Sequence, residues 1–220
     1  MINPFLKAGL LTMLVVVLAL MLMSQIDSAR TSELRKNIDS VVAENQANYV
    51  LMHYKQVMAE KPSELCPYLA SLRQKQLDKT YSLATKIQDY ERSNVLDTEY
   101  NTLKSSYFIA LSDMYISAFE NKKTCGLDET PMAFFYAENS NCPDCRAQDA
   151  LMVKIAARCP KTRIYAFPFD SKFEPVQVIA NRYGISSAPA IVINDKKTLT
   201  GLQGEESVVA TLKEAGAACT

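Results

Sequence analysis

The sequence predicts an α/β domain at its C-terminal end, preceded by an all-α helical region and an N-terminal transmembrane helix. Three observations predict it. Ala8 to Met23 is apolar apart from Gly9 and Thr12. Between residues 10 and 125 glycine is absent, and apolar residues recur there at helical spacing. Beyond that point a strand-like run, Met132-Ala133-Phe134-Phe135-Tyr136-Ala137, leads into Asn141-Cys142-Pro143-Asp144-Cys145 and a helix-patterned segment to Arg158. The expected boundaries are 1–27 for the membrane helix, 28–124 for a helical domain of about three helices, and 130–220 for the α/β domain.

The first segment is near the lower limit for a membrane span, and a signal peptide carries an apolar region of similar length. Lys7 precedes it and Ser24-Gln25 follow. Asp27 spoils the only small-x-small cleavage site, Asp27-Ser28-Ala29, so an uncleaved signal anchor is expected. Flanking charge does not orient it, because Lys7 and the α-amine oppose Arg30, Arg35 and Lys36.

Residues 28 to 60 read as a helix whose stripe is Leu34, Ile38, Val41, Asn45, Asn48 and Met52, widened by Val42 and Tyr49. Pro62 ends it and Ser63 is placed to cap the next helix. That second helix, about Ser63 to Arg92, carries Leu69, Leu72, Leu77, Ala84 and Ile87. Ser93-Asn94 and Asp97 mark a turn and a fresh cap. The third helix, Thr98 to Asn121, carries Leu103, Tyr107, Ile109-Ala110-Leu111, Met114, Ile116 and Phe119. The region reads as a spacer packed on the α/β domain, or as a platform for substrate, partner or a second copy. Its many tyrosines read as core or core-edge residues. His53, the single histidine, reads as surface or packing.

Net charge is zero, which implies no nucleic-acid-binding surface. The chain has six cysteines, and four lie outside the Cys142/Cys145 motif. Such a surplus fits an oxidising compartment, with one redox pair and two structural bridges. Cys66 opens the second helix and Cys125 follows the third. If the two helices are antiparallel these ends meet, so a Cys66–Cys125 bridge is expected.

A Cys-x-x-Cys at a helix N-terminus sets the first sulfur over unpaired backbone N–H groups, which stabilise the reactive thiolate. Pro143 suits the first turn, where a missing N–H breaks no intrahelical bond. Asp144 favours the helix but opposes a thiolate at Cys142 by like-charge repulsion. The pair could instead supply half of a zinc site, yet no second pair has suitable spacing, and no metal is expected.

Downstream, Tyr183-Gly184-Ile185 leads to Ser186-Ser187-Ala188-Pro189 and the β-branched run Ala190-Ile191-Val192-Ile193. With the Cys-Pro-x-Cys motif, this block resembles the thioredoxin superfamily from Phe134 to Gly216. The likeness extends to membrane-anchored, DsbA-like members. It implies a mixed sheet flanked by helices and a second strand at Arg163–Phe167. A short helix, a proline-led strand, a glycine-marked strand and a final helix at about Glu205–Ala215 follow.

The resemblance implies that Cys142 is the exposed nucleophile and Cys145 the buried resolving thiol. Pro189 would be the family's cis-proline, offering backbone to an extended peptide, with the small Ala188 before it. A Cys159–Cys219 staple at the sheet end away from Cys142 is implied as well. Cys-Pro-His-Cys members are strong oxidants, and aspartate in place of that histidine implies a milder potential.

Two positions depart from the family. Asn141 stands where tryptophan is usual. The buried acid that assists the resolving cysteine would fall near Phe134, and Glu138 reads as an exposed loop carboxylate or as a substitute for that acid.

The expected function is extracytoplasmic thiol–disulfide exchange, with the redox-active disulfide as the only redox group and no other cofactor. Its partners would be cysteine-containing exported proteins and a membrane redox partner for recycling. The direction, oxidase, isomerase or reductase, stays open. The alternative is a redox-inactive thioredoxin-like scaffold at the membrane.

Overall fold

The computed structural model describes residues 4–57, 62–94, 98–138 and 141–220. The expected cap at Asp97 lies outside them. The first element, α1, is one helix of 54 residues, Pro4–Val57. No proline or glycine interrupts residues 10–57, so nothing breaks the helix where the apolar segment ends. Its window Gly9–Ile26 spans 18 residues at mean hydropathy 2.3, none of it buried. That length rises about 27 Å, close to the hydrocarbon thickness of a bilayer. The side chains of Leu34, Ile38, Val41, Asn45, Asn48 and Met52 lie outside the described residues, while Val42 and Tyr49 are exposed.

A 3-10 turn, Pro62–Leu65, runs directly into α2, Cys66–Arg92. Ser63 therefore sits inside that turn and does not cap; Leu65 occupies the cap position with no side-chain bond. Pro67 fills the start of α2, where its missing N–H is harmless. The buried face of α2 is Leu69, Thr80, Leu83, Ile87 and Tyr90; Leu72, Leu77 and Ala84 are only half-buried at its margin. The next helix, α3, is Thr98–Cys125. Leu83, Ile87 and Tyr90 pack with Tyr100, Leu103 and Ala110 of α3 in a small core of their own.

The α/β part comprises β1 (Thr130–Tyr136), α4 (Pro143–Arg158), β2 (Thr162–Pro168), α5 (Glu174–Arg182), β3 (Ala190–Ile193), β4 (Lys197–Thr200) and α6 (Glu205–Glu214). The sheet order is β2-β1-β3-β4. Strand β1 runs parallel to β2, with Phe134 beside Ala166, and antiparallel to β3, with Phe135 beside Ala190. Strand β4 returns antiparallel to β3. This is the expected mixed sheet flanked by helices.

Strand alternation divides the core in two. Met132, Phe134, Ile191 and Ile193 face α4 and α6, packing on Met152, Ile155, Val208, Val209 and Leu212. Ala133, Phe135, Tyr165, Phe167, Ala190 and Val192 face the other way. There they meet Val176, Ile179 and Ala180 of α5, and also Phe108, Leu111, Met114, Tyr115 and Ala118 of α3.

The sheet-facing side of α3 thus belongs to the same core as the strands. A boundary at residue 124 separates α3 from the sheet in sequence only; in space α3 is a layer of the α/β unit. Both cores lie on one side of α3, and Ile109 and Ile116 fall on the opposite side, where they are exposed. Tyr90, Tyr100, Tyr107 and Tyr115 pack inside, whereas Tyr49, Tyr54 and Tyr81 stand in solvent, outside the expected core edge.

Candidate active site

Strand β1 ends at Tyr136, and the chain returns at Cys142 to open α4. Cys142 is the N-cap residue, Pro143 takes the first helical position and Asp144 lies exposed in the first turn. Cys142 and Cys145 are joined by a disulfide. The Cys145 backbone N–H donates to Cys142 Sγ at 3.1 Å, so a free donor of the helix start is aimed at the first sulfur. The Ala137 N–H, just past β1, points to Cys145 Sγ at 3.5 Å. Cys145 is 6% exposed, and Cys142 is half-buried. Each sulfur thus accepts one backbone N–H, and the two differ in access to solvent.

A cavity of about 670 Å³ opens beside the pair, lined by Phe134, Tyr136, Ala137, Glu138, Cys142, Cys145, Arg146, Asp149 and Ala166. Phe134 and Tyr136 make an aromatic floor, with ring centroids 6.1 Å apart. Burial, helped by the nearby Glu138, holds the Tyr136 phenol well above its ordinary range. Arg146 Nη1 donates to Asn141 Oδ1 at 3.1 Å, fixing the residue before the motif. Phe134 is buried in the sheet beside the pair, so the position where the resemblance implies an acid holds a ring that cannot carry a proton.

Glu138 is held twice. Its backbone N–H donates to Asp170 Oδ1 at 2.9 Å, and its carboxylate pairs with Lys104 of α3. The Lys104 ammonium lies 5.4 Å from the Tyr100 ring centroid. The Tyr100 hydroxyl donates to Glu91 at 2.7 Å, linking the rim to α2. Burial tends to lower the Lys104 pKa, but the bond to Glu138 outweighs it and the group sits above its ordinary value. Lys104, Tyr100 and Asp170 carried no signal in the sequence, because only the packing of α3 on the sheet brings the helical region to the cysteines.

The Ala188–Pro189 peptide bond is cis. Continuing the β1–β3 register by one residue sets Pro189 opposite Tyr136, at the strand end where Ala137 meets Cys145. Ala188 and Pro189 lie on the β3 side of β1, whereas the cavity opens toward Ala166 of β2 and does not include them. The Pro189 carbonyl accepts the Gly201 N–H at 2.8 Å.

The other four cysteines are far along the fold from this pair. Cys66 and Cys125 join the start of α2 to the end of α3. Cys159, just past α4, is bonded to Cys219 beyond α6. His53 is exposed on α1, stacked on Tyr49 with ring centroids 6.2 Å apart.

No protein-family model matches the sequence, and no curated protein matches it. Among solved structures, the chain is similar to thioredoxin O2 from Arabidopsis thaliana in the oxidized state. That pair is 14% identical over 47% of this chain and 87% of the other, with a TM-score of 0.37. It is also similar to mitochondrial thioredoxin 3 from Saccharomyces cerevisiae in its oxidized form, at 16% identity over 46% of this chain and 97% of that one, TM-score 0.34. Fasciola hepatica thioredoxin gives 14% identity over 47% and 92% of the two chains, with a TM-score of 0.37.

Proposed function

We propose that this protein is a membrane-anchored thiol–disulfide oxidoreductase acting outside the cytoplasm on the cysteines of exported proteins. The observation that carries the reading is the inequality of the two sulfurs. Cys142 caps α4 with a backbone N–H directed at its Sγ, and Cys145 is buried behind it. Three disulfides in one chain and the apolar helix Gly9–Ile26 support an anchored protein with its folded part in an oxidising compartment.

In the oxidising direction, a substrate thiolate attacks Cys142 Sγ. The Cys142–Cys145 bond breaks, and Cys145 leaves as a thiolate. A second substrate thiolate then attacks the substrate sulfur of the mixed disulfide and releases Cys142. The substrate loses two thiol protons and two electrons, and the cysteine pair gains the electrons. In the reducing direction Cys142 attacks a substrate disulfide, and Cys145 resolves the mixed disulfide by attacking Cys142. The redox group is the cysteine pair itself, and a membrane redox partner restores its starting state.

The test is trapping. Incubated with an exported protein in the matching redox state, Cys145→Ser should accumulate a disulfide-linked adduct through Cys142, and Cys142→Ser should not. Measuring the potential of the pair then separates the directions. A value between roughly −120 and −180 mV indicates an oxidase or isomerase, and one near about −270 mV a reductase. No adduct and no reversible pair would leave a scaffold.

A further inference from the structure

Gln148 lies in α4 one turn beyond Cys145, and it is 0% exposed. Its Oε1 accepts the backbone N–H of Gln203 at 2.7 Å, while its Nε2 is buried with no partner among the described residues. A buried amide that is only half satisfied is a poor choice for stability, since an apolar side chain of the same length would bury no unpaired N–H of its own. What the amide does accomplish is a connection.

Gln203 belongs to the loop after β4, and its own Nε2 donates to the Thr200 carbonyl at 2.8 Å and the Gly201 carbonyl at 3.4 Å. The Gly201 N–H in turn donates to the Pro189 carbonyl at 2.8 Å. Gly201 has a φ of +76°, a conformation that favours glycine. A continuous strap therefore runs from the helix that carries both cysteines, through Gln148, to the backbone of Pro189.

We propose that Gln148 is a positioning residue: it fixes the Pro189 segment relative to Cys142, so that a peptide laid along Pro189 presents its sulfur in line with the cysteine pair. The catalytic consequence rests on the oxidoreductase reading above; the strap itself does not. Gln148 touches no reacting atom in this scheme. Its loss should leave the sulfurs as reactive as before and impair only substrates that use the Pro189 backbone.

The experiment compares the wild type, Gln148→Leu and Gln148→Glu, the last of which keeps the acceptor oxygen. Two properties are read. The first is amide hydrogen exchange at Gly201. The second is the rate of the reduced protein with two disulfides: a small aromatic one, 5,5′-dithiobis(2-nitrobenzoic acid), and an extended disulfide-bearing peptide.

In Gln148→Leu, Gly201 should exchange faster, and the second-order rate constant with the peptide should fall about five- to tenfold, the worth of one hydrogen bond. The small disulfide should react at the wild-type rate, and Gln148→Glu should recover most of the peptide rate. Should Gln148→Leu fail to fold, Gln148→Met, unbranched and of equal length, takes its place in the same comparison. Unchanged Gly201 exchange would overturn the strap. An equal fall with both disulfides would place Gln148 on the cysteines instead and overturn the positioning role. A wild type inert to both disulfides would refute the oxidoreductase reading, and Gly201 exchange would still decide the strap.

Discussion

Lys104 of α3 forms an ion pair with Glu138, a residue of the cavity that holds Cys142 and Cys145. The two side chains are 14% and 26% exposed, so the pair is partly withdrawn from solvent screening. The ammonium neutralises a carboxylate on the rim of that cavity. A helix from outside the sheet's own βαβ unit thus contributes one of the charges at the cavity's edge.

Removing either partner should move the Cys142 thiol in opposite directions. Lys104→Met leaves Glu138 unpaired near the sulfur, and like-charge repulsion should slow Cys142 alkylation at a given pH. Glu138→Gln leaves a cation there and should speed it. The double variant should return close to the wild type. The rate of Cys142 alkylation against pH, measured on the reduced protein, checks all three. Identical profiles in the two single variants would place the pair beyond electrostatic reach of the sulfur.

Much of this arrangement was legible in the sequence, and the reason is local. Cys142-Pro143-Asp144-Cys145 announces a helix start through backbone chemistry that depends only on neighbours. The apolar run 132–137 and the β-branched run 190–193, the latter set off by Gly184, Pro189 and Gly201, mark strands in the same local way. The 3-4 spacing found the helices but not which side of each was buried. Ile109 and Ile116 look like core in a one-dimensional stripe, yet α3 packs on α2 along one edge and on the sheet along another. Lys104 and Gln148 were invisible for the same reason. Their partners, Glu138 and Gln203, are brought to them by tertiary packing, and no spacing rule links residues of different elements.

Asp113 gives a prediction about pH. Burial raises its pKa, the hydrogen bond from Gln76 Nε2 at 3.3 Å partly opposes the shift, and Glu120 adds to it. A carboxyl whose folded pKa lies above its unfolded one binds its proton more tightly when folded. It adds stability below the folded value and costs stability once ionised at neutral pH. Asp113→Asn keeps an acceptor for Gln76 without the charge. Its melting temperature should exceed that of the wild type at pH 7, and the difference should vanish below about pH 4, where both forms of Asp113 are protonated. Thermal melts at pH 7 and pH 3 make the check, and equal gains at both would mean the effect is packing rather than ionisation.

The Cys66–Cys125 bridge closes a span of 59 residues, a restriction of the unfolded chain worth about 4 kcal/mol on the loop-entropy model. Cys66→Ala with Cys125→Ala should therefore lower the melting temperature by roughly 10 °C. The manner of unfolding matters as much as the size of the shift. Since Phe108, Leu111 and Met114 of α3 lie in the sheet's core, loosening the α2–α3 hairpin should destabilise the whole unit. Far-ultraviolet ellipticity, which is dominated by the helices, and tyrosine fluorescence, to which Tyr115 and Tyr165 of that core contribute, should then melt together in one transition. A first transition confined to the helices would show that α2 and α3 form a separate cooperative unit and that the shared core contributes little.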